Sequence, residues 1–176
     1  MRRPNSSCSV DRPTVSSSTL RDEPSLRTQT GQLIYRSVST GAAIGAIEIS
    51  DILAEARQNN SDMDITGVLT VVDNTFIQIL EGPDAALDRL LAVLHADRRH
   101  TGLRTLQRRH VEQRSFADWA MVSPRLSPAC VGSLGRLLAS DEDRIDSYLP
   151  ILKSALEAQD RLAARWQSPD RNGEQA

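Results

Sequence analysis

Ile65-Thr-Gly-Val-Leu-Thr-Val-Val-Asp73-Asn74-Thr-Phe-Ile-Gln-Ile-Leu80 reads as a β-hairpin. Residues 65–72 are apolar and β-branched, and residues 75–80 repeat that character. Asp73-Asn74 between them is a two-residue turn of the kind that favours positive φ. One residue breaks the pattern. Gln78 places a primary amide in the middle of an apolar strand, where it needs partners if it is buried.

Working outward, Gly82-Pro83-Asp84 punctuates the chain and sets Pro83 at a helix start; Leu87, Leu90, Leu91 and Leu94 follow at helical spacing, to about residue 96. On the N-terminal side, Ile49, Ile52, Leu53 and Ala56 recur at i, i+3, i+4 and i+7, a helix with one buried stripe, ended by Asn59-Asn60-Ser61-Asp62. Residues 32–38 read as a first strand and 103–111 as a fourth, with 119–123 a short fifth. The order strand, helix, strand, strand, helix, strand predicts an α+β, ferredoxin-like β-α-β-β-α-β sheet with an extra short strand and a C-terminal helical unit. In that unit Leu134, Leu137 and Leu138 suggest a short helix, and Ile145, Tyr148, Leu149, Leu152 and Leu156 a longer one that Pro150 kinks or delays. The apolar stripe of the longer helix must be buried, and the sheet face opposite the first two helices is the nearest bare surface.

Composition bounds the rest. The 176 residues suit one domain with attachments, and 39% hydrophobic with 25% charged residues is near the globular balance. Residues 1–30 and 168–176 are polar and aperiodic, so the expected organisation is a disordered arm over 1–30, a folded domain over 31–123, a helical element over 124–167 and a disordered tail. Twenty-one basic against 23 acidic residues give a net charge of −2, and there are only six aromatics, which disfavours a nucleic-acid module. No apolar run approaches a membrane span and no signal peptide is evident, so a cytoplasmic protein is expected. Cys8 and Cys130 lie 122 positions apart with no metal-ligand spacing, and His95 and His110 fit no acid-base or metal constellation, so no metal is expected. Arg104, Arg108, Arg109 and Arg114 read as a solvated strand face.

The chemistry-bearing residues follow an order. Leu33-Ile-Tyr-Arg-Ser37 is followed by Arg57-Gln-Asn-Asn60, Ile65-Thr-Gly-Val-Leu69, Phe76-Ile-Gln-Ile-Leu-Glu-Gly82, Asp97-Arg-Arg-His100 and Trp119-Ala-Met121. Each fragment is weak alone, but six in order resemble the BLUF family, the blue-light sensors that use FAD, over about 90 residues. The resemblance implies an FAD whose isoalloxazine ring lies between the two helices, with its edge facing the sheet. It implies Tyr35 as the redox-active phenol, Gln78 as the amide between phenol and flavin, Asn60 and Asn59 as ring contacts, and Arg99 with His100 near the flavin side chain. Trp119 and Met121, two apart on an expected strand, would share a face, and one of them would approach Gln78 as a relay.

The function expected on this basis is that of a short, stand-alone photoreceptor, not an enzyme, signalling through its C-terminal helices or a partner protein, and a homodimer is expected. A flavin-free interaction module on the same fold is the alternative. An acyl-phosphate hydrolase is disfavoured, because no glycine-rich anion loop with an arginine follows the first strand.

Overall fold

The computed structural model describes residues 29–41, 44–140 and 145–167. The arm expected over 1–30, apart from Gln29 and Thr30, lies outside the described residues, as do the tail over 168–176 and Cys8. The elements are β1 (Thr30–Ser39), α1 (Ala46–Asp62), β2 (Thr66–Val72), β3 (Thr75–Gly82), α2 (Asp84–Ala96), β4 (His100–Val111), α3 (Pro128–Ala139) and, after a 3-10 turn at Ile145–Ser147, α4 (Tyr148–Gln167).

The strands form one sheet in the order β2-β3-β1-β4, with every neighbouring pair antiparallel. That is the ferredoxin-like order expected from the sequence. The hairpin turn is as read, since Asp73 and Asn74 both take positive φ (47° and 64°). Pro83 caps α2. Pro150 delays the last helix rather than kinking it: it lies in the first turn of α4, where a missing N–H removes no helical bond. Ser127 starts α3 by accepting the Cys130 N–H at 3.2 Å, with Pro128 next in line.

Alternation along the strands splits the core in two. Leu33, Tyr35, Phe76 and Leu80 face α1 and α2 together with Leu53 and Leu87. Ile34, Ile77 and Ile79 face the other way and are covered by Leu134 of α3 and by Tyr148, Leu152 and Leu156 of α4. The stripe read from the sequence is therefore buried on the sheet face expected for it.

The fifth strand is smaller than expected. Residues 119–122 touch the sheet edge at β2 through a single parallel bridge, Val68 to Val122. Gly67 N–H donates to Trp119 O (3.0 Å), Val122 N–H to Gly67 O (3.1 Å), and Leu69 N–H to Val122 O (2.8 Å). Two residues of β2 thus span three on the facing chain, one more than a regular ladder holds. The extra residue reverses the side-chain alternation, which corrects the expectation that Trp119 and Met121 share a face. Met121 enters the core beside Tyr35, while Trp119 packs on the cluster of the C-terminal helices. Gly67 is required where the three layers meet, since a Cβ there would lie 2.3 Å from Ile79 O.

Candidate functional site

A cleft opens between α1 and α2 above the sheet. Its walls are apolar, with Ile52 and Ala56 from α1 and Leu90 and Leu94 from α2. Polar groups gather at its floor and one end, the composition of a small-molecule site. The registers put the floor together. Tyr35 of β1 is paired directly with Gln78 of β3, so both side chains project from the same face.

The Tyr35 hydroxyl donates to Gln78 Oε1. At the other end of the amide, Gln78 Nε2 donates to Met121 Sδ at 3.4 Å. All three are buried, at 3%, 6% and 1% exposure. The two ends of the amide are unequally held, because a phenol is a good donor while a thioether is a weak acceptor. Burial, with the negative charge of Asp97 adding to it, pushes the Tyr35 phenol well above its usual range, so it stays protonated at all physiological pH.

Two side chains of α1 hold the segment that carries Met121. Asn60 Nδ2 donates to Ala120 O (3.0 Å) and Arg57 Nε to Met121 O (2.8 Å). Asn60 is buried and lines the cleft; Asn59 also lines it but is exposed. In the sequence Arg57 only opens the fragment Arg57-Gln-Asn-Asn60, with no role of its own. Nothing in a one-dimensional pattern reveals that it reaches a backbone carbonyl 64 residues away.

The far end of the cleft is charged. Arg99 pairs with Glu55 (2.7 Å) and Asp97 (2.6 Å), which holds the Asp97 carboxyl below its usual range, mainly through the Arg99 hydrogen bonds. His100 packs edge-on to Phe76 with centroids 6.1 Å apart. Both of its ring nitrogens, and the Ser37 hydroxyl nearby in the lining, are buried without a hydrogen-bond partner. Such orphans are uncommon and mark where a ligand's polar edge belongs. Ser37 was not singled out from the sequence; its alternation with Tyr35 on β1 is the signal that finds it. Apolar walls with unpartnered polar atoms at the rim match in chemistry a flat, apolar-faced ring with donors and acceptors on its edge, and an isoalloxazine is such a ring.

Desolvation is the main cause that lowers the His100 pKa from its usual 6.5, so the neutral ring is the form the fold prefers. A depressed folded-state value stabilises the protein above the unfolded value and loses that contribution as pH falls. Urea midpoints of the flavin-free protein are therefore expected to decline as pH falls through and below about 6.5, with a shallower decline in His100→Gln. Equal slopes for the two proteins in this window would show His100 to be uninvolved.

Arg108, Arg109 and Arg114 of the expected solvated strand face are paired. Arg108 bonds to Asp84 and Asp88, Arg114 to Asp64, and Arg109 to Asp146 and, less expectedly, to the buried Gln32. His110, given no role, bonds to Asp84 (2.7 Å). Among the described residues no cluster of His, Cys, Asp or Glu could hold a metal ion, and no helix is long and apolar enough to cross a membrane.

Comparison with known proteins bears on this geometry. The family model described as sensors of blue-light using FAD matches residues 31–122. The photoactivated adenylate cyclase subunit beta of Euglena longa is 33% identical over 92 residues, 52% of this chain but 11% of that protein. The chain therefore spans about a tenth of the length of the curated relatives it matches. Among solved structures, the dark state of BlrB, a BLUF protein, superposes with a TM-score of 0.63 at 28% identity, covering 73% of this chain and 98% of that one. The structure of Klebsiella pneumoniae BlrP1 with FMN and cyclic diGMP gives 0.55 at 25% identity, covering 71% of this chain and 34% of that one.

Proposed function

Since the chain belongs to the BLUF family, the sensors of blue light using FAD, we propose that it binds FAD in the cleft between α1 and α2 and signals through a hydrogen-bond switch formed by Tyr35 and Gln78. The observation that carries this reading is the buried chain Tyr35–Gln78–Met121 on the cleft floor. Ser37, Asn59, Asn60, Arg99 and His100 are the polar groups that would hold the cofactor, between the apolar walls of the two helices. A bound flavin excited by blue light supplies an electron acceptor.

Tyr35 is the residue suited to give up an electron together with its phenolic proton, because its hydroxyl is already committed to an amide oxygen. Return of both restores the phenol, so there is no net oxidation and no product. What can differ afterwards is Gln78. Its amide offers an acceptor at one end and two donors at the other, so reversal exchanges what it presents to Tyr35, to Met121 and to the cleft. The weak thioether contact opposes reversal little, and the free-energy gap between the two arrangements is bounded by the hydrogen bonds exchanged, about 1–3 kcal/mol.

Reversal of Gln78 removes the donor that faces Met121 Sδ, and Met121 belongs to the segment that also carries Trp119 onto the C-terminal helices. We take this segment as the relay, α3 and α4 as the output element, and a dimer or a cytoplasmic partner protein as the receiver. The relatives named photoactivated adenylate cyclases support the last step in kind, their cyclase being their own. The test is an absorption spectrum of purified, FAD-supplemented protein before and after blue light. A flavin spectrum that shifts reversibly to longer wavelength is expected. Colourless protein, or bound flavin without a shift, would reject the reading.

A further inference from the structure

On the sheet face turned away from the cleft lies a second buried polar chain, unused by the switch. Glu81 of β3 is 0% exposed, and its carboxylate accepts from three neutral donors: Gln32 Nε2 (2.7 Å) on one oxygen, and the backbone N–H groups of Ser115 (2.7 Å) and Phe116 (3.0 Å) on the other. Gln32 is its cross-strand partner on β1. Gln32 Oε1 in turn accepts from Arg109 Nε (2.8 Å), and Arg109 Nη1 pairs with Asp146 (3.2 Å) in the 3-10 turn that leads into α4.

The orientation of the Gln32 amide is dictated from both sides, its oxygen facing a cation and its nitrogen an anion, so the two bonds reinforce each other. Gln78, on the opposite face of the same strand β3, lies between a phenol and a thioether, both neutral. One amide is therefore locked and the other is free to turn. The locked one connects the backbone at 115–116, five residues before Met121, with the start of the last helix.

Resting on the photoreceptor reading for its use, though not for its existence, we infer that Glu81 is a positioning residue that couples the 115–122 segment to the C-terminal helices through Gln32, Arg109 and Asp146. A shift of the Met121 segment pulls on the two amides that Glu81 holds. The carboxylate cannot leave them unpaired at no exposure without a large penalty, so it moves with them. Gln32 and Arg109 carry that movement to Asp146. The weakest link is the last one, an exposed ion pair with Asp146 84% accessible.

Coupling is reciprocal, which gives a test in the dark that needs no photocycle. In the whole chain as purified, Asp146→Asn, a surface change, is expected to raise amide hydrogen exchange at Ser115 and Phe116 about two- to fivefold, the range an exposed ion pair allows, and Arg109→Met, which also takes the donor from the buried Gln32 Oε1, is expected to raise it further. Unchanged exchange there in both variants would overturn the inference. In the light, Glu81→Gln can keep its oxygen on Ser115 and Phe116, but its new NH2 then meets the Gln32 nitrogen. Turning Gln32 would only set a second donor against Arg109. The expected result is a red shift like that of the unmodified protein with the light-induced change in exchange over 145–156 lost. Arg109→Met carries the same expectation if Glu81→Gln does not fold. A light response over 145–156 that persists undiminished in these variants would reject the route. Absence of any red shift in the unmodified protein would count against the photoreceptor reading alone, and the dark measurement would still decide the coupling.

Discussion

Gln78→Leu is expected to abolish the reversible red shift while leaving FAD bound. Leucine fills nearly the same space between Tyr35 and Met121 and removes the acceptor and the donors at a stroke, so nothing remains that can be reversed. The apolar walls formed by Ile52, Ala56, Leu90 and Leu94 are untouched. The Tyr35 hydroxyl is left buried without its acceptor, which should lower stability by about 1–3 kcal/mol. Difference spectra after illumination read the first effect and urea unfolding the second. A red shift of normal size in Gln78→Leu would remove Gln78 from the mechanism.

Tyr35→Phe is expected to be as inactive for the opposite reason. The amide is intact but the group that gives the electron and the proton is gone, while the ring still packs among Leu33, Leu53 and Leu69. Gln78 Oε1 loses its donor, a cost of the same order as that of Gln78→Leu. The two changes share one hydrogen bond, so their costs should not add. In Tyr35→Phe/Gln78→Leu neither partner is left unsatisfied, and the double variant should be about as stable as the better single one. Additive losses would mean that the bond seen between Tyr35 and Gln78 contributes little. Full photoactivity of Tyr35→Phe would leave the tyrosine a packing residue.

Much of the site was legible because its residues lie on regular elements whose periods are short. Tyr35 and Ser37 alternate on one strand, Gln78 interrupts an apolar run on another, and Asn59 and Asn60 close a helix whose stripe is plain. Reading failed where the chain leaves a regular ladder. At 119–122 one additional residue against β2 puts Met121 under Gln78 and Trp119 on the opposite layer, and no pattern of residue types announces such a bulge. Arg109 stands among basic neighbours as one of a solvated series; only the register that sets it opposite Gln32 shows it reaching a buried amide.

By itself, then, the sequence determined the element order, the hairpin at Asp73-Asn74, the ferredoxin-like arrangement and the stripe that brings α4 to the sheet, because hydrophobic period and turn chemistry are local properties that each stretch of chain carries with it. The tertiary structure alone decided which of Trp119 and Met121 meets Gln78, that Arg57 and Asn60 hold the carbonyls beside it, and that Glu81 joins Gln32 to Ser115 and Phe116. Each of these is a contact between residues 34 to 64 positions apart, and its geometry depends on strand register and on a few ångströms of side-chain reach, quantities fixed only when the layers pack.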